Sequence, residues 1–79
     1  MPKPRKSAFE EQYIEIIERL ILRRRKLNMT QTDLATSYGE DQSFISRIER
    51  RQRRLDVYEF VRFCHILKCE PAEILNGIE

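Results

Sequence analysis

The sequence predicts an all-α fold, a compact bundle of five helices. Apolar residues recur at i, i+3 and i+4 in successive segments, which is the spacing of one buried helix face. Capping residues, glycines and prolines separate these segments, and none shows the alternation of apolar and polar residues that is typical of a strand. A chain of 79 residues has room for one hydrophobic core, so we expect a single folded domain.

The first and longest helix is predicted from about Phe9 to Leu27. Glutamates lie in its early turns and basic residues in its last turns, which suits the helix dipole. Its apolar residues at helical spacing are Tyr13, Ile14, Ile17, Leu20, Ile21 and Leu27.

A basic arm is predicted before this helix. Residues 1–8 hold two prolines, a serine and three basic residues, which are Lys3, Arg5 and Lys6. Ser7 can cap the helix that follows. The predicted organisation is therefore a loose basic arm over residues 1–8 and one folded domain over residues 9–79.

A second helix is predicted over residues 31–38. Thr30 can cap it, and Asp33 lies three residues later, as in a capping box. Gly39 is a natural stop, because glycine takes the left-handed conformation without a steric cost.

A third, short helix is predicted over residues 42–50, immediately after this turn. Asp41 can cap it, and Phe44, Ile45 and Ile48 form its apolar face. Two short helices thus flank a glycine turn.

Two further helices complete the bundle. Asp56 begins the fourth, whose inner face is predicted to carry Phe60, Phe63, Cys64 and Leu67. Pro71 opens the fifth, which is stopped by Gly77.

Residues 30–49 follow the pattern TQ..LA...G.....IS.IE, which closely resembles the Cro and phage-repressor class of helix-turn-helix proteins, the XRE family. The similarity covers roughly residues 13–76. The resemblance implies a lambda-repressor-like bundle in which the second helix braces on the DNA backbone and the third reads the major groove. Known members of this class are mostly repressors or activators.

The resemblance also assigns DNA-contacting residues. Gln42, Ser43 and Arg47 match positions that face base edges, and glutamine and arginine suit adenine and guanine respectively. Arg47 is the best single candidate for sequence discrimination. Contacts to the sugar-phosphate backbone are expected from Gln31, Ser46, Arg50, Arg51, Arg53 and Arg54, and the basic residues of the arm are expected to follow a phosphate or the minor groove.

Arg51 departs from the class, which usually has glycine at this position. A non-glycine residue with positive φ costs on the order of 1 kcal/mol or more. Either Arg51 is strained or the third helix ends differently.

Two sets of charged residues also have structural interpretations. The run from Arg23 to Lys26 is expected to be mainly a solvated face that stabilises the end of the first helix. Glu49 is expected to pair with an arginine, for which Arg19 or Arg23 is a plausible partner.

No metal, cofactor or catalytic site is expected. His65 lies beside Cys64, with Cys69 further on, but a structural zinc site needs four ligands, usually in paired short spacings. Cys64 and His65 also cannot act as nucleophile and base, because neighbours on a helix point about 100° apart.

The charge distribution indicates a polyanionic partner. Residues 1–54 carry 13 basic and 8 acidic side chains, a net of +5, whereas residues 55–79 carry 2 and 5, a net of −3. Membrane binding is disfavoured because glutamates mix with the basic residues of the longest helix. No apolar stretch approaches the roughly 20 residues of a membrane span, so we expect a cytoplasmic, nucleoid-associated protein.

The leading hypothesis is a repressor that binds a palindromic double-stranded operator as a homodimer. Tyr58, Val61, Ile66 and Ile78 are the dimer-interface candidates, although scattered exposed apolar residues are also normal. The alternatives are a DNA-binding antitoxin or partner-binding adaptor, and the controller protein of a restriction-modification system.

Overall fold

Five α-helices make up the fold in the computed structural model, which describes the backbone of residues 5–79 and the side chains of residues 10–79. This confirms the predicted all-α fold class, and the described chain contains no strand. α1 packs against α3 and α5, α2 packs against α3 and α4, and α4 also contacts α5. The helices are α1 (Arg5–Lys26), α2 (Gln31–Tyr38), α3 (Gln42–Glu49), α4 (Val57–Ile66) and α5 (Pro71–Leu75).

α1 begins four residues earlier than the sequence predicts. It starts at Arg5, so Arg5 and Lys6 belong to its first turn and not to a loose arm, and Ser7 lies inside the helix and not at its cap. The physical reason is that no helix breaker follows Pro4, while arginine, lysine and alanine all favour helix. Lys3 lies outside the described residues.

Side-chain caps set the starts of the three central helices. The Thr30 hydroxyl accepts from the Asp33 N–H at 3.0 Å, and the Asp33 carboxylate accepts from the Thr30 N–H at 2.9 Å. Asp41 accepts from the N–H of Phe44 at 3.0 Å, and Asp56 accepts from that of Glu59 at 2.7 Å. Each such cap is worth about 1 kcal/mol, which explains why these starts were predictable.

All five helices contribute to one hydrophobic core. The Tyr38 ring lies between Phe44 and Phe63, with centroid separations of 5.3 and 5.2 Å. Arg62 covers the outer side of this ring at 3.9 Å and donates to the Tyr38 carbonyl at 2.8 Å. The buried apolar residues are Ile17, Leu20, Leu34, Ala35, Tyr38, Phe44, Ile45, Ile48, Phe63, Cys64, Leu67 and Ile74.

Left-handed residues follow the first four helices. Gly39 has φ 95°, as predicted, but the equivalent positions after α1, α3 and α4 hold Asn28 (φ 59°), Arg51 (φ 63°) and Lys68 (φ 58°). Each of these three positions closes its helix with the paired hydrogen bonds of a Schellman motif. Arg51 is therefore in the conformation that disfavours any residue with a Cβ, and α3 ends at Glu49, one residue before the predicted end.

Candidate nucleic-acid interface

α3 presents one polar face to solvent and buries the other. Gln42, Ser43 and Arg47 are exposed, whereas Phe44, Ile45 and Ile48 lie in the core. Exposed Arg50 and half-buried Ser46 lie beside the three exposed residues. The structure thus brings the predicted base-contacting residues together on one accessible surface.

A chain of side-chain hydrogen bonds runs inward from this surface. The Gln42 amide donates to Gln31 Oε1 at 2.7 Å, and the Gln31 amide donates to Glu49 Oε1 at 2.8 Å. One Gln42 N–H is used in this chain, so its second N–H and its carbonyl oxygen stay available to an outside group. Gln31 therefore orients Gln42, a role that the sequence analysis did not assign to it.

A buried ion pair anchors the inner end of the chain. Arg24 Nε donates to Glu49 Oε2 at 2.7 Å, and Arg24 Nη2 donates to Glu49 Oε1 at 2.9 Å. The remaining terminal nitrogen, Nη1, donates to the Met29 carbonyl at 2.8 Å, in the loop between α1 and α2. The predicted structural role of Glu49 agrees with this geometry, but its predicted partner, Arg19 or Arg23, was wrong because Arg24 faces α3.

The run from Arg23 to Lys26 was predicted to be mainly a solvated face, and this prediction is wrong for two of its four residues. Arg25 and Lys26 are exposed, but Arg24 is buried and Arg23 donates to the carbonyls of Leu67 and Lys68 at 2.8 and 2.6 Å. Cations at these unpaired carbonyls stabilise the end of α4.

Arg19 does the same at the end of α5. It donates to the carbonyls of Ile74 and Asn76 at 2.7 and 2.6 Å. The i, i+4 spacing of Arg19 and Arg23 on α1 is the sequence signal that places them on one face.

The loop after α3 carries four of the arginines predicted to contact the DNA backbone. Arg50, Arg51 and Arg54 line an open cleft of about 450 Å³ beside Tyr13. Arg54 lies 4.4 Å above the Tyr13 ring, and 3.6 Å separates its guanidinium from the Glu10 carboxylate. Three of the four loop arginines therefore line one cleft.

Arg53 does not line this cleft and is engaged within the protein. Its two terminal nitrogens donate to Glu59 at 3.0 and 2.9 Å, and it lies 4.7 Å from the Phe44 ring centroid. The hydrogen bonds from Arg53 and from the Asp56 N–H lower the pKa of Glu59, and Glu59 in turn raises the pKa of Arg53. Arg53 thus fixes the loop to the start of α4, a role that sequence reasoning missed.

Ser43 also has an internal partner. Its hydroxyl donates to Asp41 at 2.9 Å. Together with the Phe44 N–H, this bond lowers the pKa of Asp41. The Ser43 oxygen keeps its lone pairs, so it can still accept a hydrogen bond from outside.

Comparison with known proteins identifies the fold and its motif. The helix-turn-helix family model matches residues 20–74. A solved structure described as an "XRE-family like protein from Pseudomonas syringae pv. tomato str. DC3000" is similar, with a TM-score of 0.86 and 34% sequence identity. The chain belongs to the XRE family of helix-turn-helix proteins. The similarity covers 92% of this chain and 89% of that one, and α2 and α3 form the motif of a DNA-binding regulator. A search of curated proteins finds no match.

The dimer candidates of this XRE-family protein differ in exposure. Tyr58 and Val61 are 70% and 45% exposed on α4, whereas Ile66 and Ile78 are half-buried, and Ile66 packs against the protein's own core. Val57, which the sequence analysis did not single out, is the most exposed large apolar residue of the described chain, at 81%.

An apolar groove of about 290 Å³ continues from this α4 surface. Its lining residues include Ile16, Leu55, Phe60 and Leu75.

No helix within residues 5–79 is long and apolar enough to cross a membrane.

Proposed function

We propose that this XRE-family protein is a transcriptional repressor that binds a two-fold symmetric DNA operator as a homodimer. α3 enters the major groove and reads base edges through Gln42, Ser43 and Arg47. The N-terminus of α2 lies against the sugar-phosphate backbone. Repression follows from occupancy of the operator.

The hydrogen-bond chain from Gln42 to Glu49 is the observation that supports this reading most directly. A glutamine recognises adenine with one N–H and its carbonyl oxygen, donating to N7 and accepting from N6. These are the two groups that Gln42 keeps while Gln31 holds its other N–H. Because the buried Arg24–Glu49 pair fixes Gln31, little ordering is left to occur when Gln42 meets a base.

Backbone contacts are assigned to the residues around this helix. Gln31 and Ser46 flank the reading face, and Arg50, Arg51 and Arg54 extend it along the following loop. Such contacts give affinity and register but carry no sequence information. Arg53 is the weakest member of the predicted set, because a phosphate would have to compete with Glu59 for its guanidinium.

The homodimer is proposed to form through the exposed apolar surface at the start of α4. Val57, Tyr58 and Val61 form this surface. A C2 interface uses the same patch on both copies, and paired half-sites then lie one helical turn apart. The surface belongs to the part of the chain with net negative charge, so dimerisation does not use the basic surface that is proposed to bind DNA.

Selection of tight binders from a random duplex library tests the operator, with affinity then measured at two salt concentrations. The expected result is a two-fold symmetric consensus whose half-sites lie about 10 base pairs apart. Weak, sequence-independent binding that falls steeply with salt would show instead that the basic surface is generic.

Sedimentation of interface variants tests the dimer separately. The double variant Val57→Asp/Tyr58→Asp should sediment as a monomer and lose affinity for the full operator more than for a half-site. Leu22→Asp is the matched control, since Leu22 is a similarly exposed apolar residue on α1, at 63%. A double variant that still dimerises would place the interface elsewhere.

A further inference from the structure

The loop between α4 and α5 brings together the two cysteines of the chain. The Lys68 N–H donates to the His65 carbonyl at 3.1 Å, and the Cys69 N–H donates to the Cys64 carbonyl at 3.0 Å. A Schellman closure frequently brings the side chains at its two outermost positions into contact across the end of the helix. Those positions are Cys64 and Cys69.

The backbone closure is compatible with the distance that a disulfide spans. With a 3.0 Å bond between the Cys69 nitrogen and the Cys64 oxygen, standard bond lengths limit the Cα–Cα separation to about 7 Å. Disulfides span roughly 4.4–6.8 Å between Cα atoms. Burial, followed by the negative charge of a Cys69 thiolate and a hydrogen bond with Cys69, raises the pKa of Cys64 to about 12, which agrees with two neighbouring sulfurs.

The two thiols differ in their access to solvent. Cys64 is 0% exposed and belongs to the core. Cys69 is half-buried and lines two open surface grooves, one beside His65 and Lys68 and the other beside Arg23. A small oxidant in solution therefore reaches Cys69 first, and the buried Cys64 is the neighbour positioned to react with the product.

We propose that Cys64 and Cys69 form a redox-sensitive pair that hydrogen peroxide converts into an intramolecular disulfide across the end of α4. The Cys69 sulfur attacks one peroxide oxygen, the O–O bond breaks, and water leaves with the thiol proton, giving a sulfenic acid. The Cys64 sulfur then attacks the Cys69 sulfur. The S–S bond forms as the S–O bond breaks, and the Cys64 proton leaves in a second water.

The electron balance closes with peroxide alone. Two thiols lose two electrons and two protons, and one peroxide is reduced to two waters. A thiol reductant such as dithiothreitol restores both thiols by exchange through a mixed disulfide. The modification is therefore reversible.

Intact-mass analysis and thiol titration of the full chain after peroxide treatment test the proposal. The expected product has lost about 2 Da and both free thiols, remains a single chain on a non-reducing gel, and regains both thiols with dithiothreitol. Retention of both thiols, a disulfide between chains, or a sulfinic acid at Cys69 beside an intact Cys64 thiol would each overturn it.

Single variants identify the order of the two steps. In Cys64→Ala the resolving thiol is absent, so Cys69 should accumulate as a sulfenic acid that a carbon nucleophile traps. In Cys69→Ala the buried Cys64 should stay reduced under the same treatment. Equal peroxide reactivity of the two variants would overturn the assigned order, and circular dichroism checks that both remain helical.

Discussion

Arg24 and Glu49 form a two-bond ion pair whose side chains are only 8% and 9% exposed, and it joins α1 to the end of α3. Removing one partner leaves the other charge buried and unpaired. We expect Arg24→Met to lower the free energy of unfolding by about 3–5 kcal/mol, as measured by urea denaturation.

Two controls separate this effect from a simple loss of charge. Arg24→Met/Glu49→Met should recover part of the loss, because it leaves no unpaired charge. Glu15→Gln removes the partly exposed partner of Arg19 and should change stability by less than about 1 kcal/mol. Similar losses in the single and double variants of the buried pair would contradict the argument.

Arg47 and Arg50 are predicted to differ in what they contribute to DNA binding. Arg47→Ala should lose about 1–3 kcal/mol at one base-pair position and relax specificity there. Arg50→Ala should weaken selected and random duplexes by the same factor. Competition binding against a panel of single-substitution operators measures both, and an Arg47→Ala effect that is uniform across the panel would remove Arg47 from the reading face.

Arg51→Gly is predicted to stabilise the fold. Glycine takes φ 63° without the steric cost that arginine bears, so the free energy of unfolding should rise by about 1 kcal/mol. Arg51→Ala removes the same charge and keeps the strain, so it should give no such gain. If DNA affinity falls equally in both variants, the lost charge is the cause.

Stability is predicted to fall with acidification, because the folded protein lowers the pKa values of Glu59 and Asp41. A lowered pKa contributes stability above the unfolded value, about 4, that is lost as the pH falls through the folded value. Thermal unfolding between about pH 6 and pH 3 measures this loss.

Two substitutions test whether Glu59 and Asp41 cause the loss of stability at acidic pH. Glu59→Gln should be less stable than the wild type at neutral pH but lose less on acidification. Asp41→Asn should keep the helix cap, since asparagine caps as well as aspartate, and should also flatten the pH profile. If the stability of both variants falls with pH in parallel with that of the wild type, other carboxylates cause the loss of stability at acidic pH.

Local signals made much of the helix-turn-helix predictable. Thr30, Gly39 and Asp41 act on their own neighbours, so the sequence alone places the bounds of α2 and the start of α3. Whether Arg23 or Arg24 meets Glu49 depends on how α1 is rotated against α3, and a rotation of about 100° separates the two side chains. The same limit applies to Arg53 and Arg54, whose different partners follow from the path of a loop that adopts a positive φ at Arg51.

Three guanidinium groups lie over aromatic rings, with Arg53 on Phe44, Arg54 on Tyr13 and Arg62 on Tyr38. Several others hold helix ends or a buried carboxylate. Several arginines of this sequence thus already have partners within the protein before DNA arrives. The number of counterions displaced from the duplex should therefore follow the exposed arginines of α3 and the loop after it, and remain far below the 15 basic residues of the chain.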